Sequence, residues 1–150
     1  MSAMSSWARL RRLPRAERGV LLGAAAMLPL VAWGLKLLGL RRVQASLARM
    51  APLAARVPDG LAAGDVARMV SAAARRAPYA ATCLPTALVL QSLLRRHGIE
   101  GELRIGVRKA AAALEAHAWI EHQGVPLIDA ADVRERFGPF DLTAGERAPR

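Results

Sequence analysis

The chain holds one thiol, Cys83, inside the stretch "YAATCLPTALVLQSLLRRHGI" of residues 79–99. A lone cysteine is either a small buried hydrophobe or a nucleophile. Its neighbours favour a helix start. Thr82 can cap the helix, Pro85 is tolerated in a first turn, and Gly98 suits the C-terminal stop. Cys83 then stands in the first turn. The amide groups there carry partial positive charge, which stabilises thiolate over thiol. The amide of Cys83 itself could also face the oxyanion of an attacked carbonyl.

A base must come from the three histidines, His97, His117 and His122. His97 lies 14 residues further along the cysteine's own helix, about 21 Å away and too far to serve. His117 and His122 belong to one predicted strand and, differing by an odd number, face opposite sides of it. The segment "HAWIEHQGVPLID" reads as strand, turn and strand around Gln123-Gly124. A two-residue loop pairs His117 with Ala130 and sends Asp129 to the other face. A three-residue loop, His122-Gln123-Gly124, pairs His117 with Asp129 and makes His122 a turn residue. Three-residue hairpins favour a left-handed third residue, where Gly124 falls, so the three-residue loop is the expectation. The sequence contains no asparagine. The group that fixes the imidazole tautomer is therefore a carboxylate or Gln, and Asp129 is the best placed. Trp119 shares the face of His117 and either shields the His–Asp bond from water or fills the core. Glu121, on that face too, reads as a rim charge.

Helices must carry the thiol, and strands must carry the imidazole. The helix before Cys83 is read in "DVARMVSAAARRAP", with Asp65 as N-cap and Val66, Met69, Val70, Ala73 and Ala77 on one stripe. Arg68, Arg75 and Arg76 lie off it. Leu84, Ala87, Leu88 and Leu94 share one face of the cysteine helix. "ELRIGVRK", residues 102–109, alternates as a half-buried strand. "AAALEA" reads as a low-complexity connection, and no firm structure is expected after about Asp132.

At 150 residues and 53% hydrophobic, the chain suits one modest core. A single cysteine excludes an internal disulfide and fits a reducing compartment. Neither a four-ligand thiolate zinc site nor a histidine–carboxylate run at metal spacing is present, so no metal and no cofactor are expected. The net charge is +10. Residues 1–50 hold nine Lys/Arg against one acid, Glu17, while the remainder is close to balanced. No aromatic–basic interleaving accompanies that charge, so nucleic acid is not expected. An acidic peptide, an acidic partner or an anionic membrane surface fits better. Residues 19–35 are uncharged over 17 positions, the lower edge of a bilayer span, with basic residues on both sides. They read as helix packed on the core, with membrane-surface contact through residues 19–38 as the other reading. A Pro/Gly-rich hinge follows, placing helical residues 1–52 before a core of residues 53–150.

"CLPTALVLQSLLRRHGIEGELRIGVRK" followed by "AHAWIEHQGVPLID" resembles the transglutaminase-like cysteine peptidases of lasso peptide biosynthesis. The match runs from about Val66 to Asp129, and the upstream "R..LP..ER..LL" pattern is similar as well. The resemblance implies an α+β fold with a transglutaminase-like, papain-like core: Cys on a helix N-terminus, His and Asp on antiparallel strands, helices in front. It implies a Cys83 nucleophile, a His117 base and an Asp129 orienting acid, with Thr82 and Trp119 as site neighbours. It implies removal of the leader from a ribosomally made precursor, often beside a penultimate Thr of that leader. The freed amine is then joined to an acidic side chain by an ATP-dependent macrolactam cyclase, a further partner. Residues 1–50 do not read as a small winged β-rich module, so a stand-alone leader-recognition protein is the expected partner. The expected location is cytoplasmic, with membrane association as the variant. Two other readings stand beside it: a non-catalytic or membrane-attached scaffold of the same fold, and acyl transfer to an amine instead of water.

Overall fold

The computed structural model describes residues 8–50, 60–77 and 82–139. Four longer helices precede a four-stranded antiparallel sheet. Helix α1 runs Arg15–Leu38, and α2, Leu40–Met50, follows directly after Gly39. The boundary expected near residue 52 and residues 51–59 of the hinge lie outside the described residues, while the hinge's last two residues, Ala63 and Gly64, are helical. Helix α1 buries Val20, Ala24, Leu28 and Val31. These join one core with Val66 and Val70 of α3 (Ala63–Arg76) and with α4 (Cys83–Arg96).

The start of α3 differs from expectation. Ala62 occupies the N-cap, and Asp65 sits at the third helical position. Its carboxylate accepts the Ala62 backbone N–H at 3.2 Å. One orphan donor of the first turn is satisfied from inside the helix, next to the positive end of its dipole.

Helix α4 is central. Its burial extends beyond the one expected face to Pro85, Val89, Leu90, Ser92 and Leu93. Helices α1 and α3 and the sheet surround it. Each fully buried Leu or Val contributes about 1.5–3 kcal/mol of transfer free energy, which makes α4 the main anchor of the fold.

Strand β1, Glu102–Ala110, pairs with β2, Ala113–His122. The segment read as a low-complexity connection is therefore mostly strand. A tight turn at Ala111-Ala112 lets the ladder run out to Ala110↔Ala113. Ladder pairing here outweighs alanine's weak strand preference. Leu103, Ile105, Ala118 and Ile120 pack on the helical core. His117, Trp119 and Glu121 alternate to the other face.

That second face is covered by a segment in which no structure was expected. Helix α5, Val133–Arg136, and strand β4, Gly138–Pro139, return the chain alongside β1. Val133 and Phe137 form a small cluster with Trp119. Two apolar side chains pin an otherwise polar segment, too sparse a pattern for periodicity to reveal. Gly106 permits the close approach. A Cβ there would stand 2.7 Å from the Phe137 Cβ and 3.0 Å from the Trp119 ring.

Candidate active site

The hairpin after β2 decides where Asp129 goes, and it departs from the expected register. His122 pairs with Val125 and Glu121 with Pro126, so the loop is the two-residue Gln123-Gly124. Both residues have positive φ, 51° and 79°, the mirror-image turn that matches strand twist. His122 is thus a strand residue, and its Nδ1–H donates to the Glu100 carbonyl at 2.7 Å. In a continuous ladder this register would carry Asp129 to the wrong face. Strand β3, Val125–Pro126, ends after two residues instead. The backbone bends through residues 127–129, and the Asp129 carboxylate swings back to His117. His117 Nε2 and Asp129 Oδ1 are 2.7 Å apart. The expected partnership forms, by a different route.

This contact fixes the imidazole's chemistry. A carboxylate only accepts, so Nε2 carries the proton and donates it. In the neutral ring this tautomer leaves the lone pair on Nδ1. Both side chains are about one quarter exposed, within reach of a substrate. The ring is held on its faces too. Trp119 stacks at 6.0 Å and 18°, and Phe137 at 5.0 Å and 29°.

Cys83 is half-buried at the first position of α4. It lines a cavity of about 310 Å³ together with His117 and Asp129. Pairing along this edge of β2 ends with the Leu127 N–H donating to the Ile120 carbonyl at 3.1 Å, and residues 117–120 of β2 contribute to the wall. An element packed on one face of the sheet and a histidine on the other therefore reach one opening. Trp119 belongs to the same wall while being only 4% exposed. Thr82 holds the N-cap position without a side-chain capping bond. Its carbonyl accepts the Thr86 N–H at 3.4 Å and the Thr86 hydroxyl at 3.0 Å. With Pro85 lacking an N–H, Cys83 and Leu84 are the first-turn amides that the helix itself leaves unpaired.

Two parts of the site were missed in the sequence. Arg75 of α3 lines the cavity, its Nη1 donating to Ser71 Oγ at 2.6 Å. Its position off the apolar stripe was the available signal. Glu121 is not a rim charge: it is 2% exposed. Its Oε1 accepts Trp119 Nε1 at 2.8 Å and Arg134 Nε at 2.6 Å, and its Oε2 accepts Arg134 Nη2 and, at 3.3 Å, Arg104 Nε. The Arg134 hydrogen bond above all, then those from Trp119 and Arg104, push the Glu121 carboxyl down to about 2 against the opposing effect of burial. This buried acid ties α5 to β2 and fixes the indole that stacks on His117.

Comparison with known proteins agrees with this architecture. Residues 25–140 match the model of the transglutaminase-like superfamily. No curated protein and no solved structure gives a match. The matched span covers helices α3 and α4, all four strands and both walls of the cavity. The chain, an α+β protein with helices over a small antiparallel sheet, belongs to the transglutaminase-like superfamily.

Proposed function

We propose that the protein is a cysteine peptidase that removes the leader from a ribosomally made lasso peptide precursor. The superfamily includes cysteine peptidases and transglutaminases, and acyl transfer through a thioester is common to both. The observation that carries the reading is the His117–Asp129 hydrogen bond at 2.7 Å in a cavity lined by Cys83.

In this mechanism His117 Nδ1 takes the proton of Cys83 Sγ, and the thiolate attacks the scissile carbonyl. The amides of Cys83 and Leu84 stabilise the oxyanion. His117 returns the proton to the leaving amine, which departs as the new N-terminus of the core peptide. Water, deprotonated by the same nitrogen, resolves the thioester and releases the leader as a carboxylate. Asp129 stabilises the imidazolium and holds its tautomer. Arg75 brings positive charge to the cavity wall. A stand-alone recognition protein delivers the leader, and the macrolactam cyclase consumes the freed amine.

The test is incubation of precursor, recognition protein and this enzyme, read by mass. Hydrolysis gives a leader with a free carboxylate; transfer gives a leader carrying an added amine. Cys83→Ala should yield neither. Cleavage retained by purified Cys83→Ala protein overturns the assignment.

A further inference from the structure

Helix α1 has two apolar faces, and the core uses one. The other carries Gly19, Leu22, Ala26, Leu30, Trp33 and Leu37, spaced by three and four residues on one side of the helix. All are solvent-facing, with Leu30 72%, Trp33 70% and Leu37 75% exposed. The stripe contains no polar residue over about 27 Å. Soluble surfaces rarely keep such a run open.

We infer that this face seats the protein on an anionic membrane surface, with α1 lying in the interfacial plane. Charge selects the occupant. Arg11, Arg12 and Arg15 are exposed at one end of the stripe, and Lys36 and Arg42 at the other. Glu17, the one acid of the first fifty residues, is engaged with Arg68 at 3.3 Å. A second copy laid along the stripe, parallel or antiparallel, would set basic end against basic end. An anionic headgroup layer matches both ends at once. Shape favours lipid as well: a convex helix face with an exposed tryptophan needs a fluid apolar layer, not a moulded pocket. Adjoining the stripe at Leu22 is an apolar groove of about 740 Å³, with Leu10, Leu13 and Met69 in its walls and Arg9 and Arg76 beside them. That is the size of a small-ligand site, roughly 300–1,000 Å³, and the chemistry of an acyl chain under an anionic headgroup. The helix is long and apolar enough to cross a bilayer. Crossing would strip Val20, Ala24, Leu28 and Val31 from the core, so it lies on the surface and does not span.

The experiment is co-sedimentation of the full chain with phosphatidylcholine vesicles, with and without phosphatidylglycerol. The expected result is binding to the anionic vesicles alone, weakened by salt. Leu30→Ser/Trp33→Ser/Leu37→Ser, all at exposed positions, should keep the wild-type circular dichroism spectrum and lower the partition coefficient by at least about a hundredfold. Arg11→Gln/Arg12→Gln, which leaves the stripe intact, should lower it roughly thirtyfold. Equal binding to neutral vesicles overturns the inference, as does no binding, or binding undiminished in the triple variant. So does an unchanged vesicle affinity in a triple variant that has lost self-association or capture by the recognition protein. Leader removal is assayed separately in solution, so failure here leaves the peptidase reading standing.

Discussion

Glu121 offers the sharpest test of how the site is built. Its carboxyl is held near 2, against an ordinary 4.5. The sign follows from the depression. The stabilisation is fully present above the unfolded value, so above about pH 4.5, and is lost as pH falls toward about 2. At about 1.4 kcal/mol per unit, the depression amounts to roughly 3 kcal/mol. Arg134 is half exposed, so solvent screening makes this an upper figure. Glu121→Gln at neutral pH removes the charge but keeps the shape, leaving the Arg134 guanidinium without its carboxylate. In a chain of this size 1 kcal/mol corresponds to roughly 2–4 °C in Tm, so the variant should melt lower by at most about 6–12 °C. The assay is thermal and urea unfolding of both proteins between pH 7 and pH 2. The stability difference should hold down to about pH 4.5 and close as pH approaches 2, because protonated Glu121 and Gln are then alike. A difference that stays constant across this window, or is absent at pH 7, refutes the account of Glu121 as the charged clamp between α5 and β2.

Other outcomes follow from neighbouring contacts. Asp129→Asn should lower kcat about 10²–10⁴-fold with little change in KM, since the amide no longer enforces the Nε2–H tautomer; single-turnover kinetics on the precursor checks it. Gly106→Ala places a methyl against Phe137 and Trp119 and should cost about 1–3 kcal/mol, read by urea unfolding, with a further loss of activity because both rings that stack on His117 move. Leu88→Ala, at a position 1% exposed in the centre of α4, should cost about 2–5 kcal/mol by the same measurement.

The helical half of the fold was legible in the sequence because periodicity carries it. The stripe of Val66, Met69, Val70 and Ala73 and the apolar run of α4 each require a buried helix face, and each has one. The strands were legible where large aliphatic residues alternate, as in Leu103, Ile105 and Val107, and hidden where alanines form the ladder, as in Ala110–Ala116. What failed was local chemistry with near-degenerate choices. Two- and three-residue turns at Gln123-Gly124 both accommodate positive φ, and no side-chain pattern separates them. Glu121 looked like a rim charge because its partner Arg134 sits in a segment with almost no apolar pattern. The pairing of His117 with Asp129 was anticipated, and Cys83 lines the cavity where they meet. Phe137 and Arg75 reach that site only through the tertiary fold, which local periodicity does not encode.

The brevity of β3 has a mechanical consequence. Had Asp129 been locked into a ladder, any slip of the hairpin by one position would have turned the carboxylate away from the imidazole. Because the last bond to β2 is that of the Leu127 N–H to the Ile120 carbonyl, the acid rides on a bend whose torsions can take up such a slip. The tip of the hairpin can thus vary in length or composition while the His117–Asp129 hydrogen bond is kept.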